Sequence, residues 1–246
     1  MDLINNSLKV LALSDKISAY VYSTQIRSRF KDIDLVIGCG DVEYYYLEFV
    51  ISALDSPLFY VRGNHDRPIE ISNIGQRTAP MGGYDLHRRV IQHRGLLLAG
   101  IEGSLRYRDG DFQYTQGEMW RHVFAMTPAL LLNKVRHGRF LDIFVTHAPP
   151  SGIHDRPDLT HQGIRAFRWL IKTFQPSYHF HGHIHLYRPD DPRETLFEHT
   201  WVVNAYPFIE KALYINRGKD AGETSSDKPN QKPEWVIRGH QDGASR

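Results

Sequence analysis

Four short polar motifs carry the residues best suited to hold a metal ion: Gly40-Asp41, Gly63-Asn64-His65-Asp66, Thr146-His147 and Gly182-His183-Ile184-His185. Each follows an apolar run (LVIGC, LFYVR, LDIFV and YHFH) of the kind that forms a buried strand. Carboxylate, amide and imidazole groups are donors that divalent cations select, and strand ends can gather them in one place. Histidine is unusually frequent, at 14 of 246 residues, with a dense group at HFHGHIH, 179–185. A solvated surface has no need for such a group, whereas a metal site or a polar cleft does.

Each motif also has a plainer reading. Asp41 can bridge two cations, or it can cap a helix beginning near Val42. In Gly63-Asn64-His65-Asp66 the glycine frees the backbone to turn. Asn64 then offers an amide oxygen to a metal, His65 can protonate a leaving oxygen, and Asp66 can hold the His65 ring in one tautomer. Gly, Asn and Asp are also common in ordinary turns. His147 ends a strand before Ala-Pro-Pro, where a lone histidine can be structural. Residues 179, 181, 183 and 185 would share a face if their strand continued. Gly182 argues that it stops, so only His183 and His185 need aim into a site.

The elements that must position these groups are legible as patterns. Strand-like runs lie at about 8–13, 35–39, 58–62, 141–146, 178–182 and 200–204. Most lack strict alternation, as strands covered on both faces do. YYYLEFVISAL (44–54) and IRAFRWLIKTF (164–174) have helical spacing, the second with Asp158 or Thr160 as cap. TQGEMWRHVFAMTPALLLNKVRHG reads as two helices broken near Pro128. Segment 85–101 reads as an antiparallel pair turning at Arg94-Gly95, and TLFEHTWVVNAYPFIEKALYI is strand-like again. The sum is an α/β chain with mixed sheets. One domain spans 1–216. A polar tail, loosely ordered by composition, follows at 217–246, where EWVIRG can add a short strand.

Composition narrows the functional class. Apolar residues make up 41% and charged residues 24%, ordinary for a globular chain. A net charge of +2 gives no global field toward nucleic acid or acidic membranes. The single cysteine, Cys39, excludes an internal disulfide and reads as a small core residue. No run reaches the roughly 18–20 apolar residues needed to span a bilayer, and the first residues lack a leader pattern. The expectation is a cytoplasmic protein.

Taken in order, the four motifs resemble the calcineurin-like metallophosphoesterase superfamily, over roughly residues 8–205. That family's pattern is D-x-H, G-D, G-N-H-D or G-N-H-E, a lone His, then G-H-x-H. The last four blocks are intact here. In the first, Asp15 is followed by Lys16 and Ile17, so Ile17 stands where the family has its second ligand. On a strand end, 15 and 17 would share a face.

The resemblance implies two packed mixed β-sheets flanked by helices, a four-layer α-β-β-α sandwich. It also implies a centre for one or two divalent ions, of manganese, iron, zinc or magnesium. One ion would take Asp15, Asp41 and His185; the other Asp41, Asn64, His147 and His183. His65 corresponds to the catalytic histidine, with Asp66 beside it. A hydroxide activated by the metals would attack phosphorus in line. His154, Asp155, Asp158 or His161, on the loop after His147, can replace the ligand missing at Ile17. Arg62, Arg67 and His161 are candidates for binding a phosphorylated small molecule. Arg106, Tyr107 and Arg108 form a polar loop that can do so too. A phosphodiester is slightly favoured as substrate. The competing expectation, raised by Ile17, is a non-catalytic scaffold on the same fold.

Overall fold

The apolar runs form strands with both faces covered, which is why polar residues do not alternate along them. The structure, a computed structural model, describes residues 7–72, 75–188 and 190–215. The reading of 217–246 as a tail, EWVIRG included, lies outside the described residues. In chain order the elements begin β1 (Ser7–Leu13), α1 (Ile26–Arg29), β2 (Leu35–Cys39), α2 (Tyr44–Leu54), β3 (Leu58–Val61), β4 (Glu70–Ser72), β5 (Gly75–Arg77) and β6 (Gly83–Asp85). Next come β7 (Val90–His93), β8 (Leu96–Ile101), β9 (Ser104–Leu105), β10 (Gln113–Tyr114), α3 (Gln116–His137) and β11 (Ile143–Thr146). The last are α4 (Arg165–Phe174), β12 (Tyr178–His181), β13 (Glu194–Phe197), β14 (Thr200–Asn204) and β15 (Phe208–Tyr214).

Two sheets dominate, ordered β15-β1-β2-β3-β6 and β13-β14-β12-β11-β8-β7. Both are mixed. In the first, β1, β2, β3 and β6 run parallel and β15 antiparallel; in the second, β8, β11, β12 and β14 run parallel and β7 and β13 antiparallel. Alternation along each strand assigns residues to layers. Val10, Ala12, Leu35, Ile37, Phe59 and Val61 meet Leu98, Ile143, Val145, Phe180 and Val203 between the sheets. Leu11, Leu13, Val36 and Tyr60 point outward to Ile26, Tyr46, Leu47 and Val50, from α1 and α2. On the far side Leu97, Ala99 and Phe144 meet Met119, Val123, Phe167 and Leu170, from α3 and α4. The layers are therefore α-β-β-α, as expected. Among the described residues no helix is long and apolar enough to cross a membrane.

Three local readings change. Pro128 does not break α3, which runs through it. Met119, Val123, Met126 and Leu130 are all buried, at about 1.5–3 kcal/mol each. Together they outweigh the roughly 3 kcal/mol that an interior proline costs. Neither Asp158 nor Thr160 caps α4; its N-cap is Ile164, without a side-chain cap. Gln116 Oε1, from the start of α3, accepts from Arg165 N at 3.1 Å instead. Asp41 is not a cap either, because α2 is preceded by Glu43 and its first N–H is taken by Glu70.

The start of α3 closes with a reciprocal box: Thr115 Oγ1 accepts from Glu118 N, and Glu118 Oε2 accepts from Thr115 N. Thr115→Ala is expected to cost about 1 kcal/mol, read as a lower urea midpoint. An unchanged midpoint would mean that packing alone fixes this helix end.

Candidate metal centre

The carboxyl ends of β1, β2 and β3 in one sheet lie beside those of β11 and β12 in the other. Each donor sits on the turn that leaves its strand. Backbone hydrogen bonds tie the turns together: Asp15 N to Gly40 O at 3.1 Å, and Gly182 N to His147 O at 2.9 Å. Asp15, Asp41 and His183 adopt left-handed backbone, with φ of 62°, 57° and 67°. Gly40 has φ 86°, and a Cβ there would collide with the Gly63 backbone. A Cβ at Gly63 would collide with Asp41 Oδ1. The turns approach so closely that positions 40 and 63 leave no room for a side chain.

Four donors converge on one point. His147 Nε2 lies 3.0 Å from Asn64 Oδ1, 3.1 Å from His183 Nδ1 and 3.3 Å from Asp41 Oδ2. Asp41, His147 and His183 form the group suited to a cation among the described residues. The outer atoms set the lone pairs facing inward. His147 Nδ1 faces the Cys39 carbonyl at 2.8 Å, and His183 Nε2 faces the Thr160 carbonyl at 2.7 Å. Each imidazole donates outward and leaves an acceptor inward. Asn64 Nδ2 donates to Tyr107 Oη at 3.2 Å, which turns its carbonyl oxygen toward the same point. Metal–ligand bonds of about 2.0–2.2 Å in a tetrahedron place ligands roughly 3.3–3.6 Å apart, close to this spacing. Four acceptors this near repel one another unless positive charge lies between them. The donor set fits a divalent cation.

A proton and a cation compete for the inward lone pair of His147. Burial opposes a charge on His147, but Asp41, through charge and a hydrogen bond, lifts its pKa to about 10, so a proton on Nε2 holds the place that a metal would take by displacing it. Burial also opposes ionisation of Asp41, yet His147 and the His65 N–H bring it down to about 2. Burial and the neighbouring His147 lower His183 to about 4, which keeps it an acceptor.

Asp15 and His185 meet beside this group, with His185 Nε2 3.5 Å from Asp15 Oδ1. Asp15 Oδ2 accepts from Ser14 Oγ and from His183 N. His185 stacks on Tyr206 at 4.4 Å, and its Nδ1 contacts Tyr187 Oη. Ile17 does not take a ligand's place on a shared strand face. β1 ends at Leu13, the left-handed Asp15 turns the chain, and Ile17 packs against the outer apolar cluster. On the loop after His147, His154 contacts His181 and Thr195, Asp155 accepts from Gly163 N, and Asp158 pairs with His161, the one of these four whose ring lies against His183.

The remaining candidates divide. His65 is exposed at the rim, and its backbone N–H donates to Asp41 Oδ1 at 2.8 Å. Asp66 does not hold the His65 ring. Its Oδ2 accepts from the N–H groups of Asp41 and Gly63, clamping two ligand turns together. Burial, with Asp41 nearby, pushes Asp66 up to about 7. Arg62 turns away into a structural network of Glu102, Thr78 and Tyr44. Arg67 is exposed and, with Asp41, Tyr45 and His65, lines a cleft of ≈ 460 Å³. His161 stands 5.5 Å from the His183 ring.

In the polar loop, Arg106 binds Gln113 O and Glu118, whereas Tyr107 and Arg108 reach Asn64 and His65. The carbonyls of Cys39 and Thr160 carry no mark in the sequence, since any residue supplies a carbonyl. Tyr187 and Tyr206 are likewise unmarked there.

The sequence model of the family described as calcineurin-like phosphoesterase matches residues 8–187. No curated protein matches the chain. One solved crystal structure, 17% identical, covers 86% of this chain and 100% of its own, with a TM-score of 0.56. The crystal structure of TT1561 of Thermus thermophilus is 18% identical, covering 81% of this chain and 89% of that one, with a TM-score of 0.54. At these identities the likeness speaks for the fold.

Proposed function

Because the chain belongs to the calcineurin-like phosphoesterase family, we propose that it hydrolyses a small phosphate ester, a phosphodiester before a monoester. The observation carrying this reading is the meeting of Asp41, Asn64, His147 and His183 around one point. These four residues would hold a divalent cation, manganese, iron, zinc or magnesium. Asp15 and His185 would offer a weaker second position, sharing Asp41. When bound, the cation supplies Lewis acidity toward the phosphoryl oxygens and makes a water more acidic.

The chain's own groups do the rest. His65, at the rim, donates a proton to the departing oxygen as the bond from phosphorus to that oxygen breaks. Asp66 keeps the Asp41 and Gly63 turns in register. The cleft beside His65 receives the leaving group, and its modest size suits a small molecule. A single buried thiol, Cys39, accords with a cytoplasmic location.

A second reading, a non-catalytic scaffold, draws on Ile17 and on the incomplete second position. One experiment separates the two. Protein purified without chelator should carry at least one equivalent of metal by elemental analysis, and should hydrolyse an aryl phosphodiester when manganese is added. No metal uptake and no turnover would leave the scaffold.

A further inference from the structure

We propose that the loop between β9 and β10 is the substrate-recognition element of this centre, with Arg108 binding a phosphoryl oxygen and Tyr107 as the residue that positions it. This rests on the phosphoesterase reading and assigns the anion-binding residue.

Most arginines near the centre are already engaged. Arg62 is bound by Glu102, Thr78 and Tyr44, Arg77 by Glu48 and Glu70, and Arg106 by Gln113 O and Glu118. Arg108 has no carboxylate within ion-pair distance among the described residues, and its Nη2 lies 3.4 Å from His65 Nδ1. Its charge therefore sits beside the group expected to face the leaving oxygen. A guanidinium offers paired donors that match phosphate oxygens, and it costs less to desolvate than an ammonium.

The loop is built to hold this position. The N–H groups of Tyr107 and Arg108 both reach Gln113 Oε1, at 3.3 and 3.4 Å, and Gln113 is only 3% exposed. Ser104 N donates to Phe112 O and Arg106 N to Tyr114 O, closing the loop at its base. Tyr107 touches both partners. Its hydroxyl accepts from Asn64 Nδ2, and its ring lies under the Arg108 guanidinium at 5.4 Å. One side chain thus links the aim of a metal donor to the placement of a cation. With only Asp15 and His185 beside Asp41 at the second position, a fixed guanidinium supplies positive charge that a second metal would otherwise provide.

The test uses the manganese-loaded full chain with an aryl phosphodiester as substrate and inorganic phosphate as inhibitor. Arg108→Ala should raise KM and the phosphate inhibition constant together by about tenfold or more, with metal content unchanged. Arg108→Lys, which keeps charge but not the fork, should recover part of both. Tyr107→Phe should weaken manganese affinity by about tenfold in chelator competition, as the loss of an outer support does. Its thermal midpoint should hold. Wild-type KM and phosphate inhibition in Arg108→Ala would overturn the assignment while leaving the phosphoesterase reading intact. A wild type that neither takes up manganese nor turns over would end both.

Discussion

Alanine in place of His147 is expected to strip the centre of its cation and to cut phosphoester turnover by roughly a thousandfold, the scale of a Lewis acid worth several kcal/mol. His147 Nε2 is the hub, within 3.3 Å of an oxygen from Asp41, an oxygen from Asn64 and a nitrogen from His183. Its removal leaves Asp41 buried beside Asp66 without its partner, so a lower thermal midpoint should accompany the loss. His147→Gln fills most of the space but brings no ring nitrogen; it should keep more of the fold and still bind little metal. Elemental analysis and turnover, measured on both variants, check this. Full metal content in either would place the ion elsewhere.

His65→Ala should lower turnover about a hundredfold while leaving metal content unchanged. The separation is possible because His65 plays two parts through different atoms. Its backbone N–H supports Asp41, and alanine retains that bond. Only the imidazole is lost, and it is exposed at the rim. The effect should grow as the leaving group becomes a poorer one, since an alkoxide needs a proton more than an activated phenoxide does. Equal rates for variant and wild type across aryl and alkyl esters would remove His65 from the chemistry.

Much of this is readable from the order of residues because strand ends are marked by a change of chemistry. The run LVIGC followed by Asp41, and IFVT followed by His147, announce both the strand and the turn. Helix α2 is legible at its observed limits, as is the reversal at Arg94-Gly95, where both residues have positive φ. What escapes the sequence depends on tertiary neighbours. Pro128 forecasts a break, and only the four buried residues around it show that packing prevails. Gln116 occupies the start of α4 from 49 positions away. Arg62, beside the Gly63 turn, looks free to meet a substrate, yet Glu102 and Thr78 claim it from separate segments. Asp66 looks like a partner for the imidazole next to it, but its oxygen answers to N–H groups on two turns. Ile17 misleads because a period-two argument fails once a left-handed residue interrupts the strand.

That left-handed geometry has one more consequence. Asp15, Asp41 and His183 each hold a conformation that costs a side chain about 1–2 kcal/mol and costs glycine almost nothing. Relief of the backbone and retention of the ligands thus pull in opposite directions at the same three positions. Asp41 shows which pull prevails. Glycine there would relax the backbone by about 1–2 kcal/mol but leave buried His147 without its partner, a loss of about 3–5 kcal/mol. A collection of variants sorted for heat resistance alone would therefore keep its grip on ions.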